Sequence, residues 1–142
     1  MGMYTEILIK ADIKIDIPTK VHEILTFLFT ETDVDKPKDL PDHPFFKYDE
    51  WTLIGRCSSY YHIPTCLNFY EKEYLFSRSD LKNYGNEIDL FFDWIDPYIC
   101  AYEGKCIGYS WYEESDEPTL IYKKKEIENP TTIDMFGIKF EM

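Results

Sequence analysis

The chain of 142 residues is poor in glycine, with only six in all. No glycine-rich segment is present that could cradle a phosphate group with its backbone amides, and neither a GxSxG nor an HExxH motif occurs. These absences argue against a P-loop nucleotide-binding protein, an α/β-hydrolase and a zinc-dependent protease. The sequence therefore gives no direct indication of an enzyme.

Long hydrophobic runs are also missing, since one of the longest, Ile24 to Phe29, is interrupted by Thr26. A membrane-spanning helix needs about 20 predominantly apolar residues. The first residues alternate charged and apolar side chains, which is not the composition of a signal peptide. We therefore expect a cytoplasmic protein that has no membrane partner.

The four cysteines form no CxxC pair. Eight residues separate Cys57 from Cys66 and five separate Cys100 from Cys106, which is a poor match to tetrahedral zinc sites. In the cytoplasm such thiols stay reduced, and a free cysteine commonly packs as a small buried hydrophobic residue. The sequence predicts neither a metal ion nor a cofactor.

Basic residues are scarce, because 15 Lys and Arg face 27 Asp and Glu, which gives a formal net charge of −12. This charge repels a phosphate backbone, so direct nucleic-acid binding is not expected, and it favours a cationic partner. Hydrophobic residues make up 44% of the chain and aromatic residues 18%, which is far from a disordered composition. Residues 1–142 are predicted to form a single domain.

Apolar and polar side chains alternate strictly from Ile7 to Ile17, which predicts a strand with one face in the core. Pro18 suits the first turn of a helix, whose core stripe comprises Val21, Ile24, Leu25 and Leu28. Asn86 is a plausible N-cap for a second helix that ends near Pro97. The core stripe of this second helix comprises Ile88, Phe91, Phe92 and Ile95.

The remaining elements are predicted from turn composition and strand-like runs. Residues 31–50 hold seven acids and three bases and are predicted to form a long acidic surface loop. Strands are predicted at 51–61 and at 65–77, the latter with a break near Glu71, while "SRSDLKNYGN" has turn composition. Two more strands, "CIGYSWYE" and "PTLIYKKK", follow the second helix, and residues 123–142 form an extra strand or a tail.

This order of elements predicts an α+β fold. The sequence strand, helix, strand, strand, helix, strand, strand matches a ferredoxin-like βαββαβ antiparallel sheet with two helices on one face and an additional C-terminal strand.

Two groups of carboxylates and two tryptophans are the candidate binding residues. One group lies at the tip of the last predicted hairpin and comprises Glu113, Glu114, Asp116 and Glu117. The other follows one edge of the second helix and comprises Asp89, Asp93 and Asp96. The tip does not match a calcium-binding loop, so it is either a solvated turn or a contact for a basic partner, and the helix edge is a second candidate contact for such a partner. Trp94 lies with Leu90 on the other flank of that helix, where either a neighbouring element covers them or a partner binds them. The other candidate tryptophan is Trp111, in the first strand of the last hairpin.

A catalytic alternative would require Arg78, Asp80 and His62 to meet in one cleft. The three histidines, at positions 22, 43 and 62, are scattered along the chain, and no nucleophile–base pair is indicated. A sheet of aromatic residues could also stack RNA bases, but Lys123 to Lys125 is the only basic cluster. The aromatic residues are therefore expected at core and cross-strand positions.

Three segments, "MYTEILIKADIKIDIP", "LFSRSDLKNYGNEIDLFFDWIDPYI" and "GKCIGYSWYEESDEPTLIY", resemble a group of small proteins from phages, prophages and gut-bacterial genomes. The resemblance covers residues 3–122 and carries over no catalytic residue. It implies a phage or mobile-element setting, in which compact acidic proteins disable CRISPR effectors by occupying their basic nucleic-acid channels.

Together these observations predict a small acidic, non-enzymatic binding protein. Its expected partner is a basic or nucleic-acid-binding host protein, whose lysines and arginines would bind carboxylates in place of phosphates. The alternative is an interaction module that self-associates or binds a host protein through aromatic surface, with Trp94, Tyr98 and Trp111 as candidates. A small enzyme is the third hypothesis.

Overall fold

The computed structural model describes residues 4–30, 35–47, 49–55, 67–71 and 73–124. The strands within these ranges are β1 (Thr5–Asp12), β2 (Leu67–Glu71), β3 (Tyr74–Leu81), β4 (Cys106–Tyr112) and β5 (Thr119–Tyr122). The α-helices are α1 (Thr19–Phe29) and α2 (Glu87–Ile95), and short 3-10 helices span Pro44–Phe46, Asp49–Leu53 and Asp96–Tyr98. Neither of the described α-helices is long and apolar enough to cross a membrane.

The five strands form one sheet in the order β2-β3-β1-β4-β5, and every neighbouring pair is antiparallel. The predicted α+β class, with an antiparallel sheet and two helices, is therefore confirmed. The sheet differs from a four-stranded ferredoxin-like sheet in its fifth strand, which lies outside β4 and forms one edge.

The alternating pattern of β1 buries one side of the strand, as predicted. The buried residues of this segment are Ile7, Ile9, Ala11 and Ile13. The strand is shorter than predicted, because it ends at Asp12 instead of Ile17, and Ile15 is 79% exposed. After an isolated bridge between Ile13 and Ile99, the chain leaves the sheet to begin α1 at Thr19.

Both helices pack on the same face of the sheet. His22 of α1 bonds to Tyr70 of β2, and an added Cβ on Gly108 of β4 would lie 2.8 Å from Cζ of Phe92 in α2. The same added Cβ would lie only 2.1 Å from the carbonyl oxygen of Leu8, so β4 can approach β1 here only with glycine. The two predicted core stripes are confirmed, since every residue named for them is buried.

The start of α2 is organised differently from the prediction. Asn86 has a left-handed backbone, with φ of 64°, and its side chain makes no cap hydrogen bond. Asn83 replaces it, because its Oδ1 accepts a hydrogen bond from the backbone N–H of Ile88 at 2.9 Å. The Glu87 side chain turns back to accept from the N–H of Gly85 at 3.1 Å. The predicted N-cap position, Asn86, is therefore confirmed, but the side chain that bonds to the first turn is that of Asn83.

The segment predicted as an acidic surface loop contributes to the core in its second half. Phe45 in this segment and Trp51, which directly follows it, are each 1% exposed, and both lie in 3-10 helices. The ring centroids of Phe45 and Phe91 are 5.5 Å apart, which ties the segment to α2. The prediction of a strand from residue 51 is wrong for its first residues, because Asp49–Leu53 is helical; residues 56–61 lie outside the described ranges.

The predicted strand at 65–77 is in fact two strands of a hairpin, with the break close to where Glu71 predicted it. The assignment of Ser77 to Leu81 to turns is wrong, since they complete β3. Ser77 and Ser79 are buried on the core face, where Ser77 Oγ donates to Asn68 Oδ1 at 2.6 Å and Ser79 Oγ accepts from the N–H of Gly55 at 3.2 Å. These hydrogen bonds let polar side chains occupy a buried strand.

The last two strands confirm the predicted hairpin, with a bulge between Cys106 and Gly108. Only residues 123 and 124 of the predicted tail are described. The expectation of buried thiols is wrong for Cys100 and Cys106, which are free and exposed at the connection before β4. Cys57 and Cys66 lie outside the described ranges.

Candidate functional site: the hairpin tip and the acidic edge of α2

The tip of the β4–β5 hairpin displays its carboxylates outward. All four predicted side chains there are exposed: Glu113, Glu114, Asp116 and Glu117. The backbone beneath them is fixed, because Glu113 N–H donates to Tyr4 O at 3.0 Å, and the N–H of Tyr4 donates to Glu113 Oε1 at 2.6 Å. The N–H of Ser115 closes the turn by donating to Tyr112 O at 2.9 Å. The tip is thus an ordered turn with a concentrated negative charge.

Trp111 borders this tip on the face of the sheet opposite the helices. Its indole N–H donates to the carbonyl oxygen of Ser115 at 3.0 Å, and its side chain is 37% exposed. The ring also contacts Tyr109 edge-on, with centroids 6.1 Å apart. An exposed tryptophan held by a hydrogen bond is therefore part of the same surface as the four acids.

The acidic edge of α2 is largely neutralised within the molecule, and this corrects the prediction that it displays three anions. Of the three, only Asp89 is exposed and makes no ion pair with another described residue. Asp93 accepts from Lys124 Nζ at 2.5 Å and from His43 Nε2 at 2.9 Å. Hydrogen bonds from Lys124 and then from His43 hold the pKa of Asp93 below its ordinary value.

Asp96 is buried instead of displayed. Its Oδ1 accepts from Lys123 Nζ at 3.0 Å, and its Oδ2 accepts from the backbone N–H of Lys124 at 2.9 Å. The side chain of Lys123 is fully buried in this pair. Asp96 thus anchors the end of the β4–β5 hairpin to the C-terminal end of α2, which is a structural role.

Replacing Asp93 with asparagine is expected to destabilise the protein by about 0.2–1 kcal/mol at neutral pH, the range for exposed ion pairs. The folded pKa of Asp93 is lowered, so its contribution is complete above the unfolded pKa and is lost as the pH falls through the folded pKa. Urea unfolding of both proteins should give a difference that shrinks between about pH 5 and pH 2. Asp89→Asn is the matched control, and a pH-independent difference for Asp93→Asn would contradict this assignment.

Trp94 is not available to a partner. It is 4% exposed and stacks on Phe45 with centroids 5.9 Å apart, while Phe46 contacts it edge-on at 5.1 Å. Of the two alternatives for this flank of α2, a covering element is the one observed. Tyr98 also packs against Trp94, at 6.1 Å, so the aromatic surface predicted from Trp94, Tyr98 and Trp111 does not form.

The two described histidines are engaged in hydrogen bonds. His43 Nδ1 accepts from the N–H of Phe45 at 3.0 Å, which assigns the proton to Nε2, the atom that donates to Asp93. No lone pair of His43 is left to act as a base. His22 Nδ1 lies 2.7 Å from the hydroxyl of Tyr70, and burial raises the pKa of Tyr70 to about 12.

Arg78, one of the three residues of the catalytic hypothesis, belongs to a cluster that the sequence did not reveal. Arg78 donates to Glu6 through Nε at 3.0 Å and through a terminal nitrogen at 3.4 Å, and the Tyr109 hydroxyl also donates to Glu6. The bond to Glu6 raises the pKa of Arg78, and burial followed by the bond to Glu6 raises the pKa of Tyr109. Asp80 lies two positions along β3 and is buried, and His62 lies outside the described ranges.

The Glu6–Arg78–Tyr109 cluster spans the strands β1, β3 and β4. Arg78 is 72 positions and Tyr109 is 103 positions from Glu6 in the sequence. Only the strand register brings them together, so local spacing gives no signal for it. Glu6 accepts hydrogen bonds from both Arg78 and Tyr109, which is the arrangement of a structural ion pair.

Comparison with known proteins gives no family, since no protein-family model, curated protein or solved structure matches the chain. Among the described residues, no group of three or more His, Cys, Asp or Glu side chains could hold a metal ion. The function of the chain is therefore inferred from the geometry of the β4–β5 hairpin.

Proposed function

We propose that this chain is a non-enzymatic binding protein that uses the tip of its β4–β5 hairpin to bind a basic, nucleic-acid-binding protein in the cytoplasm. The observation that carries the proposal is the outward display of four carboxylates on an ordered turn, next to an exposed tryptophan. Aromatic side chains are enriched in protein interfaces, and opposite charge steers the encounter of two proteins.

The rest of the molecule supports a partner that is a protein with positive charge. The net charge of −12 repels nucleic acid itself and attracts a groove lined by lysine and arginine. Such a groove normally binds phosphates, and carboxylates on a protruding hairpin can occupy it instead. The phage setting implied by the resemblance makes a CRISPR effector of the bacterial host the partner that we propose.

We also propose that the first four strands and two helices form a ferredoxin-like βαββαβ unit, to which β5 is added. Support comes from the order of β2, β3, β1 and β4 in the sheet, with β1 and β3 as the central strands. In this arrangement the exposed hairpin tip lies at the end of the sheet where β1 begins, since Glu113 bonds to Tyr4, and a groove of a partner could receive it there.

The test is direct binding to a purified, guide-loaded CRISPR effector by surface plasmon resonance, with and without its target DNA. The variant replaces all four tip acids by their amides, Glu113→Gln, Glu114→Gln, Asp116→Asn and Glu117→Gln. We expect its affinity to fall at least about tenfold, equivalent to about 1.4 kcal/mol. Binding of the wild-type protein should weaken with rising salt and should be abolished by saturating DNA.

The matched control removes the same amount of charge from exposed acids elsewhere, through Asp12→Asn, Asp16→Asn, Glu71→Gln and Glu103→Gln. The control is expected to bind like the wild type. Equal losses of affinity in the two variants would show that net charge alone determines binding, which would contradict a role for the tip. Undiminished binding of the tip variant would also contradict the proposal, as would the absence of wild-type binding to every effector in a panel.

A further inference from the structure

The outer edge of β5 carries backbone groups that point away from the sheet. Lys123 turns its own N–H and C=O inward, because its N–H donates to Lys105 O at 2.8 Å and its C=O accepts from Gly104 N–H at 2.9 Å. Consecutive residues of a strand point these groups in opposite directions, so those of Leu120 and Tyr122 point outward. Within the described residues, β5 pairs only with β4 and this edge bears no further strand.

The side chains on the same two residues are also exposed. Leu120 is 49% and Tyr122 is 50% exposed, and both lie on the face of the sheet opposite the helices. An edge that combines unpaired backbone groups with apolar side chains is a template for another strand. Nearby Trp111 and Tyr112 add to the exposed aromatic surface of this hairpin.

The charges at the two ends of β5 are opposite in sign. Asp116 and Glu117 precede the strand, separated from it by Pro118, whereas the half-exposed Lys124, which also pairs with Asp93, follows it and Lys105 lies beside that end. In an antiparallel pair of identical strands, the first end of each strand lies next to the last end of the other. The strand is therefore complementary to a second copy of itself, and a parallel arrangement would place like charges together.

We propose that two copies of this chain associate through the outer edges of β5, antiparallel and about a twofold axis at Ile121. Leu120 of each copy then lies opposite Tyr122 of the other, and their outward N–H and C=O groups form four hydrogen bonds. A twofold axis at Leu120 would place Tyr122 opposite Pro118, which has no N–H to donate, and would leave the C=O of Tyr122 unpaired. The axis at Ile121 is the register that pairs every outward N–H and C=O of Leu120 and Tyr122. The two sheets become one, and the hairpin tips remain outside the strand pairing.

The first test is the mass of the full chain in solution by light scattering and sedimentation equilibrium at physiological salt over a wide concentration range. We expect a concentration-dependent species of twice the chain mass of 17.0 kDa. The variant Leu120→Lys with Tyr122→Lys should weaken dimerisation at least about tenfold. The control Tyr84→Lys with Tyr102→Lys changes charge equally at residues 75% and 72% exposed elsewhere, and should dimerise like the wild type.

The second test fixes the register by oxidative cross-linking. In the proposed dimer the two copies of Ile121 face each other as a non-hydrogen-bonded pair, with Cα atoms about 4.5 Å apart, within the range of a disulfide. Ile121→Cys should form a covalent dimer rapidly, whereas Thr119→Cys, which adds the same number of thiols to the chain, should not. Circular dichroism of each variant verifies that the fold is retained.

A wild-type protein that remains monomeric at every concentration would overturn the proposal, whether residues 125–142 or solvent then cover the edge. Equal cross-linking of the two cysteine variants, or a dimer that survives the Leu120 and Tyr122 replacements, would also overturn it. Neither test uses the basic partner of the proposed function, so the two proposals stand or fall separately.

Discussion

Replacing Phe45 with alanine is expected to lower the free energy of unfolding by about 3–5 kcal/mol, the usual cost of truncating a buried phenylalanine. Phe45 is 1% exposed and its ring contacts four others at centroid distances of 4.8–6.0 Å, those of Phe46, Trp51, Phe91 and Trp94. The cavity would open where the segment before β2 joins α2.

Urea denaturation followed by tryptophan fluorescence measures this change, because Trp51 and Trp94 both border the site. Phe69→Ala is the matched control, since Phe69 is 50% exposed on edge strand β2 and should change stability by less than about 0.5 kcal/mol. Similar effects of the two substitutions would show that the 35–55 region does not contribute to the core as described.

Truncating Asp96 to alanine is expected to destabilise the protein by about 3–5 kcal/mol, the typical cost of leaving one charge of a buried ion pair behind. Asp96 is 6% exposed, and the side chain of its partner Lys123 is completely buried. The substitution also removes the acceptor for the backbone N–H of Lys124. The hairpin end would therefore lose its attachment to α2.

A double-mutant cycle separates the ion pair from the burial of each side chain. Lys123→Met combined with Asp96→Leu should cost much less than the sum of the two single changes, because neither charge is then left behind. Asp89→Ala, at an exposed position of the same helix, should change stability by less than about 0.5 kcal/mol. Additive single effects would show that Lys123 and Asp96 do not interact in solution.

The periodicity of apolar residues in the sequence was sufficient to predict the buried faces of β1 and of the two helices. The alternation of Ile7, Ile9 and Ala11 and the stripes of the two helices correspond to the observed core. The boundaries of the elements were harder to predict. β1 ends where a bridge between Ile13 and Ile99 replaces strand pairing, and these two residues are 86 positions apart in the sequence.

Amino-acid composition gave wrong predictions of secondary structure where polar residues are buried and form long-range hydrogen bonds. The serines of β3 resemble turn residues in the sequence, yet Ser79 accepts from Gly55 and Ser77 donates to Asn68 inside the structure. In the acidic segment before β2, the many charged residues led to the prediction of a surface loop, and the core aromatic residues there were missed. The adjacent pair Phe45–Phe46 was a sequence feature that indicates burial.

The candidate site was predictable only at the hairpin tip. Its acids are adjacent in sequence, so a turn composition between two strand-like runs was sufficient to display them. The partners of Asp93 and Asp96 are 27 to 50 residues away along the chain, and helical spacing alone could not show that His43 and the lysines after β5 neutralise that edge.

The most direct test of the account is the reactivity of each carboxylate in the free protein, measured by carbodiimide coupling to glycine ethyl ester and peptide mass spectrometry. We expect rapid labelling at Glu113, Glu114, Asp116, Glu117 and Asp89, slower labelling at Asp93 and protection of Asp96. Labelling of Asp96 at the rate of Glu114, or protection of the four acids of the tip, would contradict the claim that the hairpin and not the helix edge displays the negative charge.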